Sequence, residues 1–168
     1  LKDGQNGGKT IEINVDPSAA TKKEGYTLNV TPDRITISAS DKAGAFYGVQ
    51  TLLQLMPEEI YSKEKVVGKI SVPCVSIEDA PRFGYRGAGL DVSRTFFPLE
   101  TIYDMLDWIS YHKINTFHWH ITDDNGWRVE IKKYPLLTEK GAWRGPDEVL
   151  PPSYGSGNKR YGGFYTQE

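Results

Sequence analysis

Two short runs concentrate the side chains that could do chemistry. One is Asp91-Val92-Ser93-Arg94-Thr95-Phe96-Phe97. The other is His118-Trp119-His120-Ile121-Thr122-Asp123-Asp124-Asn125-Gly126-Trp127-Arg128. An arginine fork offers five fixed donors and can hold two vicinal hydroxyls of a sugar. A carboxylate beside a histidine fixes its tautomer and raises its basicity. His118 and His120 stand two apart, so in a strand both point to one face. With Asp123 they permit a metal site of the kind that metal-dependent barrel hydrolases use, although no third spaced cluster of ligands accompanies them. Each residue also has a plainer reading. Arg94 could be a salt-bridged surface arginine. Asp123 and Asp124 could be turn residues before Asn125-Gly126. Trp119 and Trp127 could pack in the core or under a loop.

The flanking pattern says what holds these runs in place. Tyr85 to Val92 reads as a strand rich in small residues. Pro98 can open a helix, and Leu99, Ile102, Met105, Leu106 and Ile109 mark its apolar face, with an end near Lys113. Phe117 to Ile121 reads as the next strand. Strand, helix and strand make a βαβ unit, whose strands should be parallel neighbours. Ligands bind at the carboxyl ends of such strands, so Arg94, Asp123 and Asp124 should meet on one rim. Trp127 to Ile131 reads as a further short strand. Thr166 resembles a helix N-cap, with glutamate in the first turn.

The first half of the chain reads as scaffold. Residues 1–8 are turn formers. Ile11–Val15, Tyr26–Val30 and Ile35–Ser38 alternate apolar and polar residues as half-buried strands do. Thr31-Pro32-Asp33-Arg34 should close the last two into a hairpin. Ser40 or Asp41 can cap a helix whose periodic residues are Phe46, Val49, Leu52, Leu53 and Met56, and Pro57 ends it. Gly44 and Gly48, four apart, suggest close approach to a sheet. Residues 58–65 read as a connecting loop and Ile70–Ile77 as a strand, with Cys74 a small buried hydrophobe within it. Glu78-Asp79-Ala80-Pro81 looks like a domain junction.

Composition excludes several classes. The 168 residues are 38% hydrophobic and 25% charged, with a net charge of −2. That balance fits a folded globular chain and offers no basic field for nucleic acid and no polybasic run for a membrane. No apolar run is long enough to span a bilayer. A single cysteine allows no intrachain disulfide. The chain starts at Leu1 without a signal-peptide pattern, so the expectation is a piece of a longer chain.

The run Arg86 to Arg94, followed after an amphipathic helix by Asn115 to Arg128, resembles the start of the catalytic domain of family 20 glycoside hydrolases, the β-N-acetylhexosaminidases. The resemblance extends from about Tyr26 to the last residue. It implies an α/β fold: a small accessory domain, residues 1–80, with an antiparallel sheet and a helix, then the first βαβ portion of a (β/α)₈ barrel, residues 81–168. It implies removal of terminal β-linked GlcNAc or GalNAc from glycans with retention. The substrate's own 2-acetamido oxygen would be the nucleophile, an exception to the two-carboxylate scheme. No cofactor and no metal are implied. Arg94 matches the arginine that binds ring hydroxyls of the sugar. Asp123 matches the aspartate supporting a histidine that bonds the catalytic glutamate, and that histidine has no match in this chain. Thr95 departs from the pattern, since many members carry histidine there.

No His-x-Gly-Gly-Asp-Glu stretch occurs, so neither the catalytic acid nor the acetamido-orienting aspartate can be named. A complete barrel needs about 250 residues. The expectation is therefore an incomplete barrel and an inactive fragment. Its second half should depend on another copy of the chain or on repacking, which makes a homo-oligomer possible. The resemblance favours a periplasmic or secreted location. The competing class is a non-catalytic carbohydrate-binding or scaffold module.

Overall fold

The computed structural model describes residues 9–19, 22–62, 68–153 and 157–168. The expected loop at residues 1–8 and part of the expected 58–65 connection lie outside the described residues. The chain divides into two compact units between Gly84 and Tyr85.

The first unit is a four-stranded sheet with one helix. Its strands are β1 (Thr10–Val15), β2 (Tyr26–Val30), β3 (Arg34–Ala39) and β4 (Val75–Asp79), and its helix is α1 (Lys42–Leu55). The β2–β3 hairpin forms as the turn sequence predicts: the Thr31 hydroxyl donates to Arg34 O at 2.9 Å and accepts from Arg34 N–H at 3.1 Å. The sheet is mixed rather than antiparallel. β3 and β4 occupy the two sides of β2, and β1 takes the free edge of β3 and runs parallel to it, with Ile11 opposite Ile35 and Ile13 opposite Ile37.

Asp41 caps α1, accepting from Gly44 N–H at 2.8 Å through one oxygen and from Glu24 N–H at 2.9 Å through the other. One group thus ends a loop and starts a helix. The helix buries Gly44, Ala45, Tyr47, Gly48 and Leu52. The glycine row faces the sheet, and Phe46, expected inward, is 44% exposed. A Cβ at Gly44 would lie 2.5 Å from Gly25 O, and one at Gly48 would lie 2.6 Å from Ile37 Cγ2. That close approach rotates the expected face toward the flank. Leu28, Ile37 and Ala39 are fully buried beneath it, and each large side chain among them contributes about 1.5–3 kcal/mol. The Tyr26 hydroxyl donates to Asp79 Oδ2 at 2.8 Å and lies 2.6 Å from Thr51 Oγ1, joining β2, β4 and α1.

β4 starts five residues later than expected. Val75 pairs with Val30 and Asp79 with Tyr26, so the short β2 sets the length of its partner. Pro73 has no N–H to give a ladder. Cys74 lies just outside the strand and is exposed, not buried. Glu78 and Asp79 are the last two residues of the strand.

In the second unit, β5 (Gly87–Asp91), α2 (Leu99–Tyr111) and β6 (Thr116–His120) form the expected βαβ element, with β5 and β6 parallel. α2 ends in a Schellman arrangement: Lys113 N–H reaches Ser110 O at 2.9 Å and Ile114 N–H reaches Ile109 O at 3.0 Å. Lys113 sits at φ 58°, a position glycine usually takes. Arg86 and Asn115 pair across the two strand starts, through Asn115 N–H to Arg86 O at 2.9 Å and Arg86 N–H to Asn115 Oδ1 at 3.0 Å. Val92, Ile102 and Tyr165 form the buried centre, with Leu90, Leu106, Phe117 and Trp119 against it.

The expected strand from Trp127 to Ile131 is instead a hairpin of β7 (Thr122–Asp123) with β8 (Gly126–Trp127), then a single bridge from Val129 to Tyr165. Between them, the Arg128 side chain is fully buried. α3 (Leu136–Glu139), β9 (Trp143–Arg144) and β10 (Tyr161–Gly162) complete the unit. Residues 166–168 are not helical, and Gln167 N–H donates to Glu130 Oε2 at 3.0 Å.

Candidate functional site

β5 and β6 have two faces of opposite character. Leu90, Phe117 and Trp119 point into the core with α2. Gly89, Asp91, His118 and His120 lie on the other face, where the His118 and His120 rings stack 6.1 Å apart. Asp91 is the register partner of His120. The carboxyl ends of both strands therefore deliver polar side chains to one place.

Arg94 and Asp123 meet there. Arg94 Nη1 lies 2.6 Å from Asp123 Oδ2 and 3.2 Å from Asp91 Oδ2. His120 Nε2 lies 2.9 Å from the same Asp123 oxygen and 3.3 Å from Arg94 Nη1. Arg94 can only donate and the ionised Asp123 carboxylate can only accept. Asp123 is held ionised, with its pKa lowered to about 2. The Asp124 N–H, bonded to Asp123 Oδ1 at 2.7 Å, is the first cause, and His120 and Arg94 add to it. His120 Nε2 thus lies within hydrogen-bond distance of a donor, Arg94, and of an acceptor, Asp123, and its tautomer decides which bond it makes.

The turn after β5 is built to aim Arg94. Asp91 Oδ1 accepts the N–H groups of Ser93 at 2.9 Å and Arg94 at 3.0 Å. Burial acts to raise the Asp91 pKa, but these bonds and the Arg94 charge outweigh it and hold the carboxyl below its ordinary value. The Arg94, Asp123 and His120 side chains are each about one-third exposed. Ion pairs so placed stabilise a fold by about 0–1 kcal/mol. Stability is thus a weak reason for three polar groups to converge, and recognition of a polar ligand is a stronger one.

His118 does not join the cluster. Among the described residues no three histidine, cysteine, aspartate or glutamate side chains converge as metal ligands do. His120 shares a face with His118, as their spacing predicts, and also contacts Asp123. A strand end followed at once by a hairpin brings residues 120 and 123 together, and that spacing was the available signal. Arg128, given no role from sequence, is fully buried beneath the site.

A family model described as "Glycosyl hydrolase family 20, catalytic domain" matches residues 83–168. A second, "Glycosyl hydrolase family 20, domain 2", matches residues 2–80. The chain belongs to glycosyl hydrolase family 20. Among its family 20 relatives, a β-hexosaminidase of Porphyromonas gingivalis is 47% identical over 161 residues, covering 96% of this chain and 20% of the relative. A β-hexosaminidase of Vibrio furnissii is 45% identical over 163 residues, covering 96% of this chain and 25% of the relative. A solved family 20 exo-β-N-acetylglucosaminidase from Vibrio harveyi, in complex with N-acetylglucosamine, superposes with a TM-score of 0.82 at 43% identity, over 94% of this chain and 24% of that one. The chain thus spans about a fifth to a quarter of the length of these relatives. The family 20 neighbours fit an accessory domain followed by the start of a catalytic barrel, and the chain is a small mixed α/β structure.

Proposed function

We propose that this chain forms one wall of the sugar pocket of a retaining exo-β-N-acetylhexosaminidase. Residues 1–80 are the accessory domain and residues 81–168 open a (β/α)₈ barrel that further strands must complete. Arg94 binds ring hydroxyls of a terminal β-linked GlcNAc or GalNAc on a glycan. Asp123 supports a histidine that bonds the catalytic glutamate. The substrate's acetamido oxygen attacks the anomeric carbon while that glutamate protonates the leaving oxygen. The observation that carries this reading is the 2.6 Å contact of Arg94 with Asp123 at the carboxyl ends of two parallel strands.

The 168-residue chain alone is inactive on this reading, because no Asp-Glu pair in the expected His-x-Gly-Gly-Asp-Glu context occurs in it. Purified chain should release no nitrophenol from a nitrophenyl N-acetylglucosaminide. In the full-length enzyme, Arg94→Ala should lower kcat/KM by about 10- to 100-fold, the value of a hydrogen bond from a charged donor. Hydrolysis by the chain alone, or an unchanged kcat/KM, overturns the assignment.

A further inference from the structure

Arg128 is a cation enclosed by backbone. It is fully buried, and its guanidinium bonds four main-chain carbonyls. Nε donates to Val92 O at 2.9 Å and Nη2 to Ser93 O at 2.8 Å. Nη1 donates to Ala142 O and, at 3.2 Å, to Gly163 O. Its own N–H donates to Ile121 O at 2.9 Å, and its O accepts from Tyr165 N–H at 2.7 Å. Among the described residues, no carboxylate is bonded to it. Burial, and then the charge of Arg144, lowers its pKa. A charge so placed is costly, and an apolar side chain of similar size could fill the space.

What the guanidinium does is join two loops. Val92 and Ser93 form the turn that delivers Arg94, and Arg128 follows directly on the hairpin that delivers Asp123. Ser93 Oγ adds a buried bond to Gly126 O at 2.9 Å in the same seam. Gly126 leaves the space the guanidinium occupies, since a Cβ there would collide with Arg128 Nη2.

We propose that Arg128 is a positioning residue for sugar binding: by gripping the Val92 and Ser93 carbonyls from the Asp123 hairpin, it sets where Arg94 meets the substrate. The inference rests on the pocket-wall reading above. Lysine keeps the charge but not the fork, so Arg128→Lys lets the turn shift relative to the hairpin. A shift on the scale of 1 Å costs up to about 100-fold.

The test is a double-mutant cycle in the full-length enzyme with nitrophenyl N-acetylglucosaminide. Arg128→Lys should raise KM at least about tenfold, with kcat per folded molecule reduced less. A purely structural defect lowers the folded fraction and leaves KM unchanged. In an Arg94→Ala background the further effect of Arg128→Lys should vanish, because Arg128 acts through Arg94. If Arg94→Ala is itself silent, the pocket-wall reading fails. If Arg94→Ala is damaging and the two effects multiply, the Arg128 inference fails while that reading stands. The wild-type protein supplies a check that needs no variant. Hydrogen-bond couplings should link the Arg128 side-chain nitrogens to the carbonyls of Val92 and Ser93 by NMR, and their absence overturns the proposal.

Discussion

Arg94 Nη1 and Asp123 Oδ2 stand 2.6 Å apart, although their residues leave different strands and are separated by a whole helix. The parallel register brings them together: Asp91 opposite His120 puts the two strand ends level. The same carboxylate oxygen lies 2.9 Å from His120 Nε2. One oxygen therefore orients both an arginine fork and an imidazole.

The Asp123 carboxyl should titrate at about 2 when followed by carbon NMR in the folded chain. Its folded pKa lies below the ordinary value of 3.8, so its contribution to stability is complete above about pH 4 and is lost as the pH falls toward 2. Arg94→Met should raise the midpoint only part of the way, because the Asp124 N–H is the larger cause. A full return to 3.8 in that variant would assign the depression to Arg94 instead.

Gly44→Ala should destabilise the first unit. Alanine improves helix propensity by about 1 kcal/mol. The added Cβ meets the Gly25 carbonyl at 2.5 Å, a backbone atom that cannot swing away. Overpacking costs about 1–3 kcal/mol or more, so the clash wins. Urea unfolding should show a lower midpoint, and a higher one would mean that the helix does not approach β2 so closely.

Asp41→Ala should cost about 1–2 kcal/mol, because it removes the cap of α1 together with the anchor of Glu24. The Gly44 N–H is the first cause that holds the Asp41 pKa below its ordinary value. The wild type should therefore lose this contribution as pH falls below about 4, and the variant should show a flatter acid limb in thermal melts. Parallel pH profiles for the two proteins would count against this.

Lys113→Gly should stabilise the chain. Lys113 sits at φ 58° as the residue after the α2 cap. A side chain in that region costs about 1–2 kcal/mol, partly offset by the entropy glycine loses on folding. The net gain should be about 0.5–1 kcal/mol, read as a higher Tm. A lower Tm would show that the lysine side chain contributes more than its backbone costs.

Much of this arrangement was legible in the sequence. The Thr31–Arg34 turn, the glycine pair in α1 and the βαβ element around α2 follow from local chemistry and period, and the structure has all three. The rim placement of Arg94 and Asp123 follows from strand polarity. What escaped depends on distant partners. β1 joins the edge of β3 in parallel, a pairing between segments that are distant in sequence. Phe46 turns outward because glycine, not the hydrophobic count, decides how close the helix comes. Arg128 looked like a polar residue of a strand, and no local pattern tells that its guanidinium ends among four carbonyls. His120 shares a face with His118 as strand spacing requires, and the tight hairpin after β6 adds its contact with Asp123.

The grip of Arg128 on main-chain oxygens has a consequence for how this region can vary. Its contacts at Val92, Ser93 and Ala142 ask nothing of those side chains, because every residue type offers the same carbonyl. Substitution at positions 92 and 142 leaves the anchor points in place so long as the core stays filled. A single inserted or deleted residue between 91 and 94, or between 141 and 143, carries the carbonyls out of reach. The wall that holds Arg94 should therefore tolerate changes of letter far better than changes of length.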